Sequence, residues 1–285
     1  MGCCHSSSSE SAEYSDLSGP AVRGEKISSN ELQRRIQHAT KTCSLKLHAC
    51  RLTEIPQQVL AFSAWKLIDL AHNTISALPS ELSTYSKLRT LALPHNQIAE
   101  IHCALGNMTA LRRLDLSFNP IVTTPLLPAS LVELDLSGCR DLDLTALGKA
   151  LAPCRESLQS ISLRGCNIQC IPEWINGMSS LAVLDVSECA ALSSLQLQGE
   201  ASWAALPQLG QLRAAGCPAL AERGDLPASL LVDSAVHTLV LSGSGFTQSA
   251  LQRMPGMDAY IQRHTARADK AMSGGGDAST TLCQV

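Results

Sequence analysis

The chain has 285 residues, of which 45% are apolar but only 3% aromatic, and it carries a formal net charge of −3. This charge argues against a nucleic-acid-binding domain, which is normally strongly basic. No run of about 18 apolar residues is present to span a bilayer, and the polar, serine-rich start lacks the apolar stretch of a secretory signal. The composition favours stacked layers with an aliphatic core over a globule built around large rings.

The first residues, MGCCHS, match the pattern for N-myristoylation, with Gly2 as the modified residue and Ser6 at the favoured downstream position. A single myristoyl chain binds membranes only marginally, so stable anchoring needs a second signal. Residues 5–22 contain no Lys or Arg that could supply it. S-palmitoylation of Cys3, Cys4 or both is therefore the predicted second anchor. The alternative is an ordinary N-terminus with incidental small residues.

Two elements precede the repetitive part of the chain. Residues 1–25 lack periodicity and are predicted to be a disordered, acylated segment. Within 26–41, Leu32, Ile36 and Ala39 recur on one helical face after a Ser and an Asn that could cap the helix. This segment is predicted to be an N-terminal cap helix, because the end of a stack of repeats exposes apolar surface.

Residues 42–246 repeat the pattern LxxLxLxx(N/C)xL at spacings of 20 to 28 residues. The first, fourth and sixth positions are apolar, since alternation along a short strand directs them to one side. The nine units begin at Thr42, Trp65, Leu88, Leu111, Leu131, Leu158, Leu181, Leu209 and Val236. The pattern predicts an α/β fold, a leucine-rich-repeat solenoid (horseshoe) of about nine repeats with a parallel concave sheet and helical caps.

The ninth position of the repeat predicts a ladder of buried turn residues. Its side chain bonds backbone groups that no strand satisfies, which an amide does well and a compact thiol more weakly. The predicted ladder consists of Asn73, Asn96, Asn119, Cys139, Cys166, Cys189 and Cys217. Cysteines at a repeat position, together with a cytosolic lipidation motif, indicate reduced thiols instead of disulfides.

Two segments follow the repeats. Residues 247–267 alternate apolar and polar groups at roughly helical spacing, with a break at Pro255 and Gly256. They are predicted to form a C-terminal cap of a short helix, a turn and a second helix. Residues 268–285 contain a run of glycines and are predicted to be a disordered tail.

Strand residues between the inward leucines form columns across neighbouring units, because parallel strands lie about 4.8 Å apart. In units two to four one column is basic, one acidic, and one contains imidazole and aromatic rings. The residues concerned are Lys66, Asp69, His72, Arg89, His95, Arg112, Arg113, Asp115 and Phe118. Arginine and aromatic side chains are enriched at interface hot spots, so this surface is predicted to bind an unidentified protein partner. The alternative is a solvated face whose opposite charges pair with one another.

Later units are expected to present a smoother and less charged concave surface. Glycine occupies their eighth position at Gly138, Gly165, Gly216 and Gly243. The acidic column continues there in Asp135 and Asp185, and all of these carboxylates are expected to be solvated, without a shifted pKa.

No catalytic or metal site is predicted. The chain lacks a phosphate-binding glycine loop, a His-Glu-x-x-His motif and a nucleophile elbow. His72 and His95 could approach each other, but two imidazoles without a further carboxylate or thiol ligand rarely hold a metal. We therefore expect no enzymatic activity, cofactor, metal, small-molecule substrate or nucleic-acid partner.

Three features of the chain point to a narrower likeness. They are the Met-Gly start, the stretch KTCSLKLHACRLTEIP at 41–56, and a closing Tyr-x-x-Arg-x-Thr arrangement formed by Tyr260, Arg263 and Thr265. Over residues 2–267 the chain resembles the leucine-rich-repeat-containing protein 57-like family of short N-myristoylated leucine-rich-repeat proteins. Its Cys-type later repeats, longer units and Gly-rich tail depart from that family. The resemblance implies a membrane-associated, non-catalytic interaction protein without a defined ligand.

The predicted function is a membrane-anchored scaffold or adaptor in intracellular signalling or membrane traffic. Its predicted location is the cytoplasmic face of a membrane, allowing for a cytoplasmic pool. One alternative is a structural component of a membrane skeleton or of a ciliary or flagellar membrane domain. Another is a regulatory subunit of a phosphatase or small GTPase, which rests on analogy of fold alone.

Overall fold

The computed structural model describes residues 26–102, 104–197, 202–223 and 226–273. The lipidation residues Gly2, Cys3 and Cys4, together with the rest of 1–25 and residues 274–285, lie outside this described part. A sheet of nine parallel strands, one from each repeat unit, forms the centre of the molecule. The predicted α/β solenoid of nine units is therefore confirmed.

Eleven strands are described, most of them three residues long. In chain order they are β1 (Ser44–Lys46), β2 (Leu67–Asp69), β3 (Thr90–Ala92), β4 (Arg113–Asp115), β5 (Glu133–Asp135), β6 (Ser160–Ser162), β7 (Cys170–Ile171), β8 (Val183–Asp185), β9 (Ser194–Leu197), β10 (Gln211–Arg213) and β11 (Thr238–Val240). The nine-stranded sheet leaves out β7 and β9, which pair with each other. Neighbouring strands align at equal repeat positions, so that Leu45 lies opposite Ile68, and Ile68 opposite Leu91.

Segments that return from one strand to the next contain short helices. The α-helices of these segments are α2 (Gln57–Leu60), α3 (Leu144–Ala150) and α4 (Ala228–Leu231), and the 3₁₀ helices are Ser80–Thr84, Leu105–Asn107, Ala152–Cys154, Glu173–Gly177, Trp203–Ala205 and Pro218–Arg223. The β7–β9 pair also lies in these segments, between β6 and β10 in the chain. The repeat pattern does not predict this pair.

The core is aliphatic and continuous along the stack. In unit three, Leu88, Leu91 and Leu93 occupy the first, fourth and sixth positions, and each is 0% exposed. Burying a side chain of this kind contributes about 1.5–3 kcal/mol. The tryptophan and tyrosine side chains inside the core have hydrogen-bonded polar atoms. The indoles of Trp65 and Trp203, for example, donate to backbone carbonyls at 2.9 and 3.0 Å.

At the start of the stack, α1 (Ser29–Thr42) lies beside the edge strand β1. The Ser28 hydroxyl accepts a bond from the backbone N–H of Glu31, and Cys43 ends the helix in a left-handed conformation. Ile36 and Ala39 are its buried residues. The helix ends at Thr42, one residue past the expected boundary at 41. Thr42 therefore belongs to the helix and not to the first repeat unit.

At the other end lie α5 (Gln248–Gln252) and α6 (Met257–Ser273), separated by a turn at Pro255 and Gly256. Gly256 has a φ of +90°, and a Cβ there would come within 2.5 Å of Val232. Helix α6 continues to Ser273, so the expectation of a disordered tail from residue 268 was wrong for 268–273. The sequence there, ADKAM, consists mainly of good helix formers, and the first glycine comes only after Ser273.

Helix α6 closes the open edge of the sheet at β11. The Tyr260 hydroxyl accepts a 3.0 Å bond from the backbone N–H of Leu239, and Nδ1 of His264 donates to the carbonyl of His237 at 2.8 Å. The Arg263 guanidinium donates to the carbonyls of Leu230, Leu231, Val232 and Val236. Exposed strand edges leave backbone groups unpaired, and these side chains satisfy some of them. Thr265, by contrast, is exposed and bonds only carbonyls of its own helix.

Candidate functional site

The candidate site is the concave surface of units two to four, carried by β2, β3, β4 and the turns that follow them. We call it the concave patch. Its residues are Lys66, Asp69, His72, Arg89, His95, Arg112, Arg113, Asp115 and Phe118. The strands align at equal repeat positions, so the patch falls into columns as the sequence predicts.

The basic column is exposed and regular. Lys66, Arg89 and Arg112 are all exposed. Their backbones lie in one ladder, because the N–H of Arg89 donates to the carbonyl of Lys66 and the N–H of Arg112 to that of Arg89, both at 2.8 Å. This column presents three cations to solvent on adjacent strands.

Arg113 belongs to a different column, and its positive charge is compensated by an acidic side chain. Its guanidinium lies 2.6 Å from the carboxylate of Glu133 on β5. Both side chains sit at the third position of the repeat, which the sequence-based columns did not include. The positive charge of the concave patch therefore comes mainly from Lys66, Arg89 and Arg112.

The ring column is a continuous stack. The ring centroids of His72 and His95 are 4.4 Å apart with an interplanar angle of 11°, and those of His95 and Phe118 are 4.3 Å apart at 4°. Burial, followed by the nearby His48, lowers the pKa of His72 below its usual value, so this imidazole is neutral at pH 7. Phe118 at the end of the stack is 39% exposed. The stack offers a flat apolar edge on the same three units that carry the basic column.

All nine units place the eighth position in the left-handed region of backbone space, which explains the recurring glycines. The residues are Ala49, His72, His95, Phe118, Gly138, Gly165, Glu188, Gly216 and Gly243, with φ between 54° and 72°. A non-glycine residue there costs about 1–3 kcal/mol. His72, His95 and Phe118 thus adopt a backbone conformation that is unfavourable for residues other than glycine.

Gly138 makes room for the last ring of the stack. A Cβ at Gly138 would come within 2.7 Å of the Phe118 ring, whereas at Gly165 the nearest atom would be 3.8 Å away. Sequence analysis interpreted Gly138 only as a loss of surface features, and its contact with Phe118 was missed.

The acidic column is not the solvated ridge that the sequence led us to expect. Asp69 is only 6% exposed. Burial, and then the neighbouring Asp135, raise the pKa of Asp115 to about 6, and burial also raises the pKa of Asp135. The expectation of an unshifted pKa was therefore wrong for Asp115 and Asp135.

The reason lies in the residues two positions further on. The Asp115 carboxylate accepts bonds from the backbone N–H of Ser117 at 3.0 Å and from its hydroxyl at 2.7 Å. Asp135 accepts the same two bonds from Ser137. An aspartate that bonds the backbone in this way folds back over its own turn instead of extending into solvent.

The later units carry more charge than the glycines suggest. Glu188, at the eighth position of unit seven, forms an ion pair with Arg164 at 2.5 Å, and the hydrogen bond from Arg164 lowers the pKa of Glu188. The expected loss of charge was wrong for this pair, because Arg164 lies in the seventh column, which the sequence analysis did not follow.

The turn ladder joins neighbouring units from inside. The Asn96 amide donates to the carbonyls of Leu70 and Leu93 at 3.0 Å and accepts a bond from the N–H of Ile75 at 3.0 Å. The buried amides of Asn73 and Asn119 make equivalent bonds. The thiols of Cys139, Cys166, Cys189 and Cys217 each donate to one carbonyl of the preceding unit, at 3.2–3.5 Å. Burial raises the pKa of Cys139 to about 11 and that of Cys189 to about 12.

Two features are absent from the described part of the chain. No group of three or more His, Cys, Asp or Glu side chains there is placed to hold a metal ion. None of the helices there combines the length and apolar character that crossing a bilayer requires.

Comparison with known proteins identifies the repeat. Residues 157–178 match the family model described as Leucine Rich Repeat. No curated protein sequence matches the chain. A solved leucine-rich-repeat protein of Leptospira interrogans is similar with a TM-score of 0.50 and 18% identity, covering 77% of this chain and 58% of that one. The plant peptide hormone receptor RGFR1, solved in complex with RGF2, matches with a TM-score of 0.46 and 21% identity, covering 69% of this chain and 36% of that one.

This chain spans less than two thirds of the length of either of those proteins. At this level of identity, the likeness to the Leptospira protein concerns the fold alone. Together with the matching repeat, it identifies the chain as a leucine-rich-repeat solenoid.

Proposed function

We propose that this protein is a non-catalytic adaptor that binds a protein partner on the concave patch while its N-terminus is anchored in the cytoplasmic face of a membrane. Leucine-rich-repeat proteins commonly act in protein–protein interaction, and the chain has this fold. The proposal places the adaptor in intracellular signalling or membrane traffic.

The arrangement of cations and rings on one surface is the observation that carries the proposal. The exposed column of Lys66, Arg89 and Arg112 runs across the same three units as the His72–His95–Phe118 stack. Arginine and aromatic groups dominate binding energy at protein interfaces. Since the neighbouring Asp69 and Asp115 face their own turns, their charges compensate this column only in part. A partner with acidic and apolar groups would complement this surface.

The proposed anchor consists of a myristoyl group on Gly2 and palmitoyl groups on Cys3, Cys4 or both. The MGCCHS start supports it, and so does the resemblance to short N-myristoylated leucine-rich-repeat proteins. In that resemblance Tyr260, Arg263 and Thr265 are the most particular residues. Of these, Tyr260 bonds Leu239 on β11, and Arg263 bonds the carbonyl of Val236 just before that strand. Two acyl chains hold a protein at a membrane far more firmly than one.

Fractionation of cells tests the anchor. Gly2→Ala should move the protein into the soluble fraction after a high-salt wash, because palmitoylation depends on prior membrane contact. Replacing both Cys3 and Cys4 by Ser should leave weak, reversible association. If the Gly2→Ala protein still sediments with washed membranes, the anchor lies elsewhere in the chain.

Proximity labelling tests the adaptor role. Labelling from the anchored protein, compared with the Gly2→Ala variant, should identify proteins that are enriched only when the adaptor is at the membrane. An equal set of labelled proteins from both would contradict an adaptor that works at a membrane.

A further inference from the structure

Charge is divided unevenly along the chain. Residues 26–115 contain eleven Lys and Arg against six Asp and Glu, a net charge of +5, whereas the described residues 116–197, 202–223 and 226–273 contain ten against twelve, a net charge of −2. Because the units stack in chain order, this division follows the long axis of the solenoid. The described part of the molecule therefore has a basic N-terminal end and a slightly acidic C-terminal half.

The outward face of α1 concentrates this positive charge. Arg34, His38 and Lys41 follow one another at spacings of four and three residues, which places them on one side of the helix. All three are exposed, while Ile36 and Ala39 are buried on the opposite side. The one acidic residue of α1 is Glu31, whose carboxylate pairs with Arg35 at 2.9 Å instead of facing this row.

The positive surface continues from α1 onto the first strand. A pocket of about 430 Å³ lies between them and is lined by Arg34, Arg35, His38, Ala39, Thr42, Ser44 and Lys46. Lys46 is exposed, and its neighbour on β2 is Asp69. The Asp69 residue is buried, and its carboxylate accepts a bond from the backbone N–H of Ala71. We call the set of Arg34, His38, Lys41 and Lys46 the basic end.

We propose that the basic end docks on the anionic phospholipids of the membrane that holds the acyl chains. The inference builds on the proposed anchor. Gly2 lies 24 residues before Lys26, and a chain segment of this length extends at most about 85 Å, so the acyl chains keep α1 close to the lipid headgroups. Because the acyl chains already hold the protein at the membrane, contact between the basic end and the lipids is effectively intramolecular. A surface with weak electrostatic affinity can then remain bound.

Each Lys or Arg close to an anionic leaflet strengthens membrane binding roughly fivefold. The slightly acidic C-terminal half offers no comparable excess of cations to the same surface. This difference orients the solenoid with its N-terminal end on the membrane and its axis pointing away. In this orientation the membrane does not cover the concave patch, so a protein partner can reach it from beside the solenoid.

Vesicle sedimentation of the full-length Gly2→Ala protein, which carries no acyl chain, tests the docking surface separately from the anchor. It should bind phosphatidylcholine vesicles that contain phosphatidylserine and not vesicles of phosphatidylcholine alone. Arg34→Gln/Lys41→Gln/Lys46→Gln should weaken this binding at least tenfold, and higher salt should weaken it for both proteins. The matched control is Arg140→Gln/Lys149→Gln/Arg155→Gln, which removes three exposed cations from the acidic half and should bind like the parent. Circular dichroism confirms that each variant is folded.

Three outcomes would overturn the proposal. The first is equal binding to vesicles with and without phosphatidylserine, and the second is binding by the triple variant at the parent level. The third is binding that appears only after Glu10→Gln/Glu13→Gln/Asp16→Gln, which would mean that the chain's own acidic N-terminal segment occupies the basic end. In each case the anchor at Gly2 and the concave patch would remain to be judged by their own experiments.

Discussion

At the level of single residues, the eighth position of the repeat controls the shape of the candidate site. All nine residues at this position adopt a positive φ, and the side chain present decides what the concave surface shows there. Glycine recurs at four of these positions, and this recurrence was a signal for a left-handed backbone that the sequence analysis did not use. The stacking of His72, His95 and Phe118 follows once their backbones share this conformation.

Gly138→Ala should destabilise the protein and displace the Phe118 ring. The new Cβ would lie 2.7 Å from that ring and would also occupy a φ of +72°. Gly165→Ala is the matched control, because it introduces the same backbone strain at a φ of +67° without a close contact. We expect a loss of about 1–3 kcal/mol in the control and a larger loss in Gly138→Ala, measured by urea denaturation. Equal losses would mean that the ring does not depend on the glycine.

The raised pKa of Asp115 predicts a dependence of stability on pH. A folded-state pKa of about 6, above the usual 3.8, means that the folded protein binds this proton more tightly than the unfolded chain does. The stabilising contribution of the protonated group is therefore complete below about pH 4 and is lost as the pH rises through 6. Asp115→Asn should remove this component, on the order of 1–3 kcal/mol between pH 4 and pH 7. A parallel pH dependence of unfolding in both proteins would contradict the buried, shifted carboxyl.

Asn96→Ala should cost about 1–3 kcal/mol in chemical denaturation, because it leaves buried backbone groups of two units without partners. Cys189→Ala should cost less, since its thiol makes only weak bonds, the shorter at 3.3 Å to one carbonyl. Similar losses for both variants would show that amide and thiol rungs of the ladder are equivalent.

Among the elements, the two ends of the sheet determine where the solenoid stops. Strand β1 is flanked by α1, and β11 is closed by side chains from α6. The spacing of apolar residues predicted both helical ends, but it could not show that Tyr260 and Arg263 bond the backbone of the last unit. A resemblance of motifs pointed to these residues. The physical reason is that Tyr260 bonds Leu239 of β11, while Arg263 bonds carbonyls at the end of α4 and that of Val236, just before β11.

Tyr260→Phe tests this closure. Removing the hydroxyl leaves the buried N–H of Leu239 without its acceptor and should cost about 1–3 kcal/mol. Hydrogen exchange of the Leu239 amide should also become faster. Thr265→Ala is the control from the same motif, and it should change stability by no more than about 0.5 kcal/mol because Thr265 is exposed. Unchanged stability of Tyr260→Phe would exclude the closing role.

The sequence predicted the regular elements better than the irregular ones, for a physical reason. Nine strands follow from a period that alternating burial imposes on every unit. The pairing of β7 with β9 has no such period, because it joins two short stretches of the return segments. The prediction for the acidic column was wrong because a repeat position predicts only the direction of the Cβ. It does not predict whether the carboxylate accepts hydrogen bonds from a nearby serine hydroxyl and backbone N–H.

At the scale of the whole molecule, the two proposed binding surfaces, the concave patch and the basic end, lie on different units of the solenoid. The patch occupies units two to four, while the sequence of the units beyond, residues 131–246, contains six Lys and Arg against twelve Asp and Glu. The exposed cations of the patch are therefore the part of this surface that a partner with acidic groups would recognise. Their effect should weaken with salt, because exposed charges are screened over about 8 Å at physiological ionic strength.

Capture of the partner by a charge-reversed patch tests the central claim most directly. Arg89→Glu/Arg112→Glu should abolish recovery of the proteins found by proximity labelling, most strongly at low salt, while membrane targeting and folding stay intact. Both residues are exposed, so the expected change in stability is no more than about 0.5 kcal/mol. Arg213→Glu, on an exposed residue of β10, is the control and should have little effect. Recovery of the partner at wild-type levels by the Arg89→Glu/Arg112→Glu protein would contradict the account and move the binding site away from the concave patch.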